Sequence, residues 1–372
     1  MNLFSRIKGQ DRAIDILRRA LQQDKIAQSY LFHGPEGTGK FTTAFYFAMA
    51  LNCPETLENR PCGVCNSCRK YLAFSHPDFI YTFPFPNPKS DISEEGEIKS
   101  EKDLTEYQDY IKNKRETPWK EFFFSKNTGI RIGSIRLLEH RMSLSPNEGT
   151  RKVFLLEDAD MMNTQAANSF LKTLEEPPGD AVIILTSSKL NSLLPTIISR
   201  CQQIAFQPIE RRIIEEVLLE RGSEPLPARM FSRIANGNLE KALRLAEQGE
   251  FEAREKALEF IRLIVEGDDL KFIDFLQDFR GTKNLNRLQE LISHLIIWVA
   301  DVSCLQHDPD EIVNLDHREL LENLYKLNPQ IGQMSYELVE FLEKMNARLG
   351  GFVNQQLIML GIFHKFRESF SR

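Results

Sequence analysis

The chain has 372 residues, 42% hydrophobic and 27% charged, with a net charge of −6. That length allows two or three domains of ordinary globular composition, and the acidic balance argues against a surface given over as a whole to nucleic acid. Met1–Gln10 is polar and lacks the apolar core of a secretory leader. The longest apolar stretch, Leu291–Cys304, is broken by Ser293, His294 and Asp301 and reads as too short and too polar to span a bilayer. A cytoplasmic protein with no membrane partner is expected.

In chain order, Ala13, Ile14, Leu17 and Leu21 recur at helical spacing over Asp11–Gln23. A short strand, Ser29–His33, then leads into Gly34-Pro35-Glu36-Gly37-Thr38-Gly39-Lys40 and a helix over Thr42–Leu51. Strand, glycine loop and helix form the context of a phosphate-binding loop. Gly34, Gly37 and Gly39 let backbone N–H groups, that of Thr38 among them, turn toward an anion, and the helix N-terminus adds its positive end. Lys40 supplies a cation for the outer phosphates. ATP or ADP is the expected ligand. The residue after the lysine should carry a hydroxyl for Mg²⁺, and here it is Phe41, which cannot ligate a metal. Thr42 could reach a phosphate, but one step along a helix turns a side chain by roughly 100°, so Mg²⁺ is poorly served.

Cys53, Cys62, Cys65 and Cys68 follow with the spacing C-x8-C-x2-C-x2-C. Four thiolates suit a closed, structural Zn²⁺ site. Cys201 and Cys304 stand alone and read as buried small hydrophobes. His76–Tyr81 reads as a second strand. Residues from about 83 to 129 read as an insertion, partly mobile. Its alternating prolines, Pro84, Pro86 and Pro88, oppose a regular element, an acidic polar run covers Asp91–Glu106, and its aromatic run, Trp119–Phe124, is expected to pack back on its own domain.

Order resumes at Ile130–Ile132, with a helix over Ile135–Leu144. Lys152–Leu156 is a continuously apolar, buried strand ending in Glu157-Asp158. A helix over Thr164–Glu175, a strand over Ala181–Leu185, a short helix after Pro195 and a strand over Gln203–Phe206 complete a parallel sheet covered on both faces. An acidic pair at such a strand end holds Mg²⁺ in P-loop ATPases, but here glutamate comes first. Ser187 or Ser188 could meet a γ-phosphate. Arg200, after the last helix of the core, is placed to reach a neighbour's ATP as an arginine finger in trans. From Pro208 onward the pattern is helical: Arg211–Arg221, Ala228–Ile234, Leu239–Gln248 and Glu252–Val265, then longer runs at Asn284–Val302, Ile331–Leu349 and Asn354–Glu368.

The loop Gly34–Lys40, the four-cysteine module, the run Leu171-Lys172-Thr173-Leu174-Glu175-Glu176-Pro177-Pro178 and Ser199-Arg200-Cys201 occur in one order. In this the chain resembles the bacterial clamp-loader subunits of DNA polymerase III, the gamma/tau and delta-prime proteins of the AAA+ superfamily. The resemblance implies a RecA-like AAA+ parallel sheet with a zinc module (1–208, module 53–68), an all-α lid (209–250) and an all-α collar (251–372). It also implies a hetero-oligomer with gamma/tau and delta subunits, acting on a sliding clamp and primed DNA. In the family, Ser199-Arg200-Cys201 looks like the motif that lends its arginine to the adjacent ATP site. Phe41, the inverted pair Glu157-Asp158, and Glu240 where a sensing arginine is usual all point to the non-hydrolysing delta-prime type. The rivals are a gamma/tau-type ATPase of weak hydrolysis, with Thr42 and Asp158 rescuing Mg²⁺, and a free DNA-binding adaptor built on the zinc module.

Overall fold

The computed structural model describes residues 2–86, 100–117, 122, 124–248, 252–279, 285–327, 329, 331–349 and 354–370. Contacts divide the chain into two compact units, Met1–Gly222 with Ala235–Arg244, and Ser223–Ile234 with Leu245–Arg372.

The first unit opens with α1 (Asp11–Gln22), whose Ala13, Ile14, Leu17 and Leu21 are buried as their spacing requires. β1 (Ser29–His33) enters the glycine loop, and α2 (Lys40–Leu51) leaves it, two residues earlier than its sequence suggests. α3 (Asn66–Leu72) and β2 (Phe79–Thr82) follow. β3 (Phe85–Pro86) and β4 (Thr128–Gly129) pair antiparallel and close the base of the insertion. A two-residue pairing has room for Pro86 despite its missing donor, so the prolines do not exclude all regular structure there. Between them runs α4 (Glu101–Glu116), capped by Ser100, which the polar sequence did not announce. The aromatic run Trp119–Phe124 lies only partly within the described residues; Phe122 and Phe124 pack against Tyr110 of the same unit, as expected.

α5 (Ile132–Met142), β5 (Val153–Leu156), α6 (Thr164–Glu175), β6 (Val182–Ser187), α7 (Pro195–Ile198), β7 (Gln202–Ala205) and α8 (Arg211–Glu220) complete the unit's frame. The main sheet is parallel in the order β2-β5-β6-β1-β7. Every residue of β5 and β6 is buried, because apolar clusters cover both faces. β1 lies between β6 and β7, so its glycine loop emerges at the carboxyl edge of the sheet, where connections diverge and ligands of such sheets are held. Glu157 follows β5 at that same edge.

Asp78, just before β2, ties the sheet's other end. Its fully buried carboxylate accepts N–H bonds from Asn147 (2.6 Å), Glu148 (2.8 Å) and Gly149 (2.7 Å). Burial pushes this carboxyl up, but the three donors outweigh it and hold it below the usual carboxylate range. Asp78→Ala is expected to cost about 2–4 kcal/mol at neutral pH, since it strands buried donors. A depressed native pKa gives a contribution that is complete above the unfolded value of roughly 4 and is lost as pH falls through the native one. Urea unfolding of both proteins should therefore show their difference shrinking in acid; a difference independent of pH would contradict the assignment.

α9 (Pro225–Ala235) belongs to the second unit up to Ile234, and α10 (Leu239–Gln248) to the first up to Arg244. The second unit continues with α11 (Glu252–Glu266), α12 (Asp269–Phe275), α13 (Leu285–His307), α14 (Arg318–Leu327), α15 (Ile331–Arg348) and α16 (Gln355–Phe370). Within α13, Arg287–Leu305 is by length and hydropathy apolar enough to cross a membrane, a longer run than the sequence reading delimited. Its Leu288, Leu291, Ile292, Leu295, Trp298, Val299 and Val302 are the centre of this unit's core, and Phe272 stacks on Phe363 beside it. The buried Asp301 of the same helix accepts N–H bonds from Val313 and Asn314, both at 2.8 Å.

Candidate functional site

The glycine loop is tightly built. A side chain at Gly34 (φ +147°) would meet the Phe206 carbonyl oxygen at 2.3 Å, and one at Gly37 (φ +65°) would meet Asn238 Oδ1 at 1.6 Å. Leu239 N–H donates to the Gly37 carbonyl at 2.9 Å, and Asn238 caps α10 by accepting from Lys241 N–H at 2.8 Å. The loop is thus held by the start of α10. Thr38 donates its hydroxyl to the Pro35 carbonyl at 2.8 Å. Lys40 is buried and donates to the carbonyls of Gly34 (2.9 Å) and Pro35 (2.6 Å), so its ammonium is satisfied by its own loop. Burial pushes the Lys40 pKa down against the pull of Asp158, Glu240, Glu36 and Asp160. Thr42 is half-buried on the first turn of α2.

The residue after Lys40 is packed among aromatic rings. Phe41 stacks on Phe45 (centroids 5.8 Å apart) and packs on Tyr81 (5.4 Å). The Lys114 ammonium lies 4.2 Å from the Phe41 ring centre and 2.7 Å from Glu157 Oε1. Tyr81 donates its hydroxyl to Glu157 Oε2, and Tyr110 donates to the same oxygen at 3.0 Å. Lys114 and Glu157 are only 13% and 10% exposed. Burial would lower the Lys114 pKa, but Glu157 more than offsets this and raises it. Burial, followed by the Glu157 charge, lifts Asp158 to about 7. Asp158 takes left-handed backbone (φ +49°), and its N–H donates to Thr186 Oγ1 at 3.1 Å. Glu240 lies among these charges; burial raises its pKa against the pull of Lys114 and Lys40. A magnesium ion does not fit this donor set, because the hydroxyl ligand is a phenyl ring and the acidic ligand already faces an ammonium.

Lys114 went unnoticed in the sequence. Tyr107, Tyr110 and Lys114 share one helical face by their spacing of three and four residues, and that periodicity was the available signal.

The Ser187 hydroxyl donates to Asp160 Oδ1 at 2.7 Å, and Ser188 N–H reaches the same oxygen at 3.3 Å. Arg200, beyond α7, is well away from burial. It donates to the Thr196 carbonyl at 2.9 Å and pairs with Glu175 at the end of α6. Cys201 beside it is buried, whereas Cys304 is only half-buried.

The sulfurs of Cys53, Cys62, Cys65 and Cys68 all lie within 4.8 Å of one another, with Cys53–Cys65 and Cys62–Cys68 each at 3.9 Å. Four thiolates around zinc, with Zn–S near 2.3 Å, stand about 3.8 Å apart, so the donor set fits that ion. Backbone N–H groups of Val64 and Cys65 point at the Cys62 sulfur (3.5 and 3.3 Å) and that of Cys68 at the Cys65 sulfur (3.4 Å). Burial pushes the Cys62 thiol up, but the two N–H donors bring it down to about 7.

A glycine loop after β1 of a parallel sheet ordered β2-β5-β6-β1-β7, with an acidic pair at the end of β5, defines a P-loop protein of the AAA+ class. The family model described as "DNA polymerase III, delta subunit" matches residues 9–210, and the chain belongs to that family of clamp-loader subunits. It is 28% identical over 355 residues to the DNA polymerase III subunit delta' of Bacillus subtilis, covering 94% of each chain. It is 26% identical over 372 residues to the subunit tau of the same organism, covering 93% of this chain but 58% of tau. A DNA polymerase III gamma subunit-related protein of Thermotoga maritima aligns over 97% of this chain and all of its own, at 16% identity and a TM-score of 0.44.

Proposed function

We propose that this chain is a non-hydrolysing clamp-loader subunit of delta-prime type. It joins gamma/tau and delta subunits in a ring, lends Arg200 to a neighbour's ATP, and so helps place a sliding clamp on primed DNA. The three-part division at about 208 and 250, with the last part as collar, belongs to the same proposal, as does a structural zinc ion on Cys53, Cys62, Cys65 and Cys68. The observation that carries the reading is Phe41, a ring packed on Phe45 and Tyr81 where hydrolysis needs a metal-binding hydroxyl. Gly34, Gly37, Thr38, Gly39, Lys40 and Thr42 keep the outline of a phosphate cradle.

The test is ATP turnover by the purified chain, with Lys40→Ala as control. No turnover above the Lys40→Ala background is expected, and robust Lys40-dependent hydrolysis would instead establish the gamma/tau-type ATPase. Mixing the chain with tau and delta subunits is expected to give one complex on gel filtration; failure to co-elute would reject the ring role.

A further inference from the structure

Hydrolysis needs a divalent cation between the residue after the P-loop lysine and the acidic residue at the neighbouring strand end. Here those two positions are Phe41 and Glu157, and one group touches both: the Lys114 ammonium, 4.2 Å from the Phe41 ring centre and 2.7 Å from Glu157 Oε1. Lys114 arrives on α4, inside the segment that interrupts the strand-helix alternation. We propose that Lys114 is a tethered cation that stands where P-loop ATPases hold Mg²⁺, so that the insertion converts the site into a metal-independent, permanently neutralised one. The inference deepens the non-hydrolysing reading of this loop and rests on it.

Three features support the substitution physically. A phenyl face attracts an ammonium but cannot ligate a hard divalent ion, so Phe41 suits lysine and not magnesium. The second oxygen of Glu157 accepts from the hydroxyls of Tyr81 and Tyr110, so both carboxylate oxygens already have protein partners. Described aromatic residues of the insertion pack around this contact: Tyr110 packs on Phe83 (4.2 Å) and Phe124 (5.2 Å), and Phe83 packs on Tyr81 (5.0 Å). A buried ion pair contributes little to net stability but penalises loss of either partner. Placing Lys114 there therefore fixes which cation the site accepts.

Two measurements on the full chain test this. The first titrates Mn²⁺ into the wild-type protein, read by electron paramagnetic resonance, with Glu157→Gln as control. No saturable site that depends on Glu157 is expected; such a site would overturn the proposal. The second follows thermal unfolding of Lys114→Ala without added divalent cation and with millimolar MgCl₂. The variant is expected to melt several degrees below wild type without magnesium and to recover part of that loss in MgCl₂, while the wild type is indifferent to magnesium. A variant that melts with the wild type, or that magnesium does not raise, would overturn it. Should Lys114→Ala not fold, the Mn²⁺ titration of the wild type still decides. Lys40-dependent ATP turnover by the wild type without a Glu157-dependent Mn²⁺ site would reject the non-hydrolysing reading and leave the tethered cation standing.

Discussion

Arg200→Ala is expected to lower the DNA-stimulated ATPase of the proposed assembly by about 10³-fold or more at the one site it serves, as removal of arginine fingers does. The fold should survive the change. Among the described residues the Arg200 guanidinium is tied to the Thr196 carbonyl and to Glu175, and the pair is substantially solvated. Such a pair contributes on the order of 0–1 kcal/mol, so it holds the arginine in place without anchoring the core. Arg200→Lys keeps the charge but loses the planar fork, and should recover little of the rate. Glu175→Gln releases the guanidinium and should leave the rate at least at the wild-type level. The measurement is steady-state hydrolysis by the reconstituted complex, with the melting temperature of each isolated variant as control. An unchanged rate for Arg200→Ala at unchanged stability would remove the arginine from the mechanism.

The second large effect is expected at the cysteine cluster. Cys65 caps α3, its sulfur accepting the Cys68 N–H. Serine is itself a favourable helix cap, so Cys65→Ser keeps the local turn and removes only a thiolate. The variant should lose its metal and about 4 kcal/mol or more of stability, beyond the range of ordinary substitutions, because metal binding here would be folding free energy. Elemental analysis is expected to give about one zinc per wild-type chain and almost none in the variant. A strong chelator should bring the wild-type denaturation midpoint down to that of the variant. Wild-type protein free of zinc at full stability would reject the metal. The Cys53 and Cys62 thiols face Cys65 and Cys68 across the cluster, so replacing any one of the four should have the same consequence.

Much of this molecule was legible in its residues. The spacing of Ala13, Ile14, Leu17 and Leu21 placed α1, and the continuous apolar runs placed β5 and β6, because periodicity and burial are local consequences of chain geometry. The glycine loop and the cysteine spacing were also legible, since each is short and needs particular residue types at fixed intervals. α4 was not: its buried residue is the polar Asp103, and its two aliphatic residues, Leu104 and Ile111, are set among eleven charged or amide-bearing ones, so the apolar stripe was thin. The partners of single polar groups were equally out of reach. Ser187 donates its hydroxyl to Asp160, and Asn238 closes on Gly37 from some two hundred residues away.

The sequence by itself determined that a metal ligand is missing at Phe41 and that the acidic pair is inverted, because those are statements about which atoms the chain owns. Only the tertiary structure decided what lies beside those residues. Glu157, Phe41 and Lys114 come from β5's end, α2 and α4, and their meeting depends on strand order and on how the insertion folds back. Distances between distant segments are fixed by packing, which no local pattern encodes.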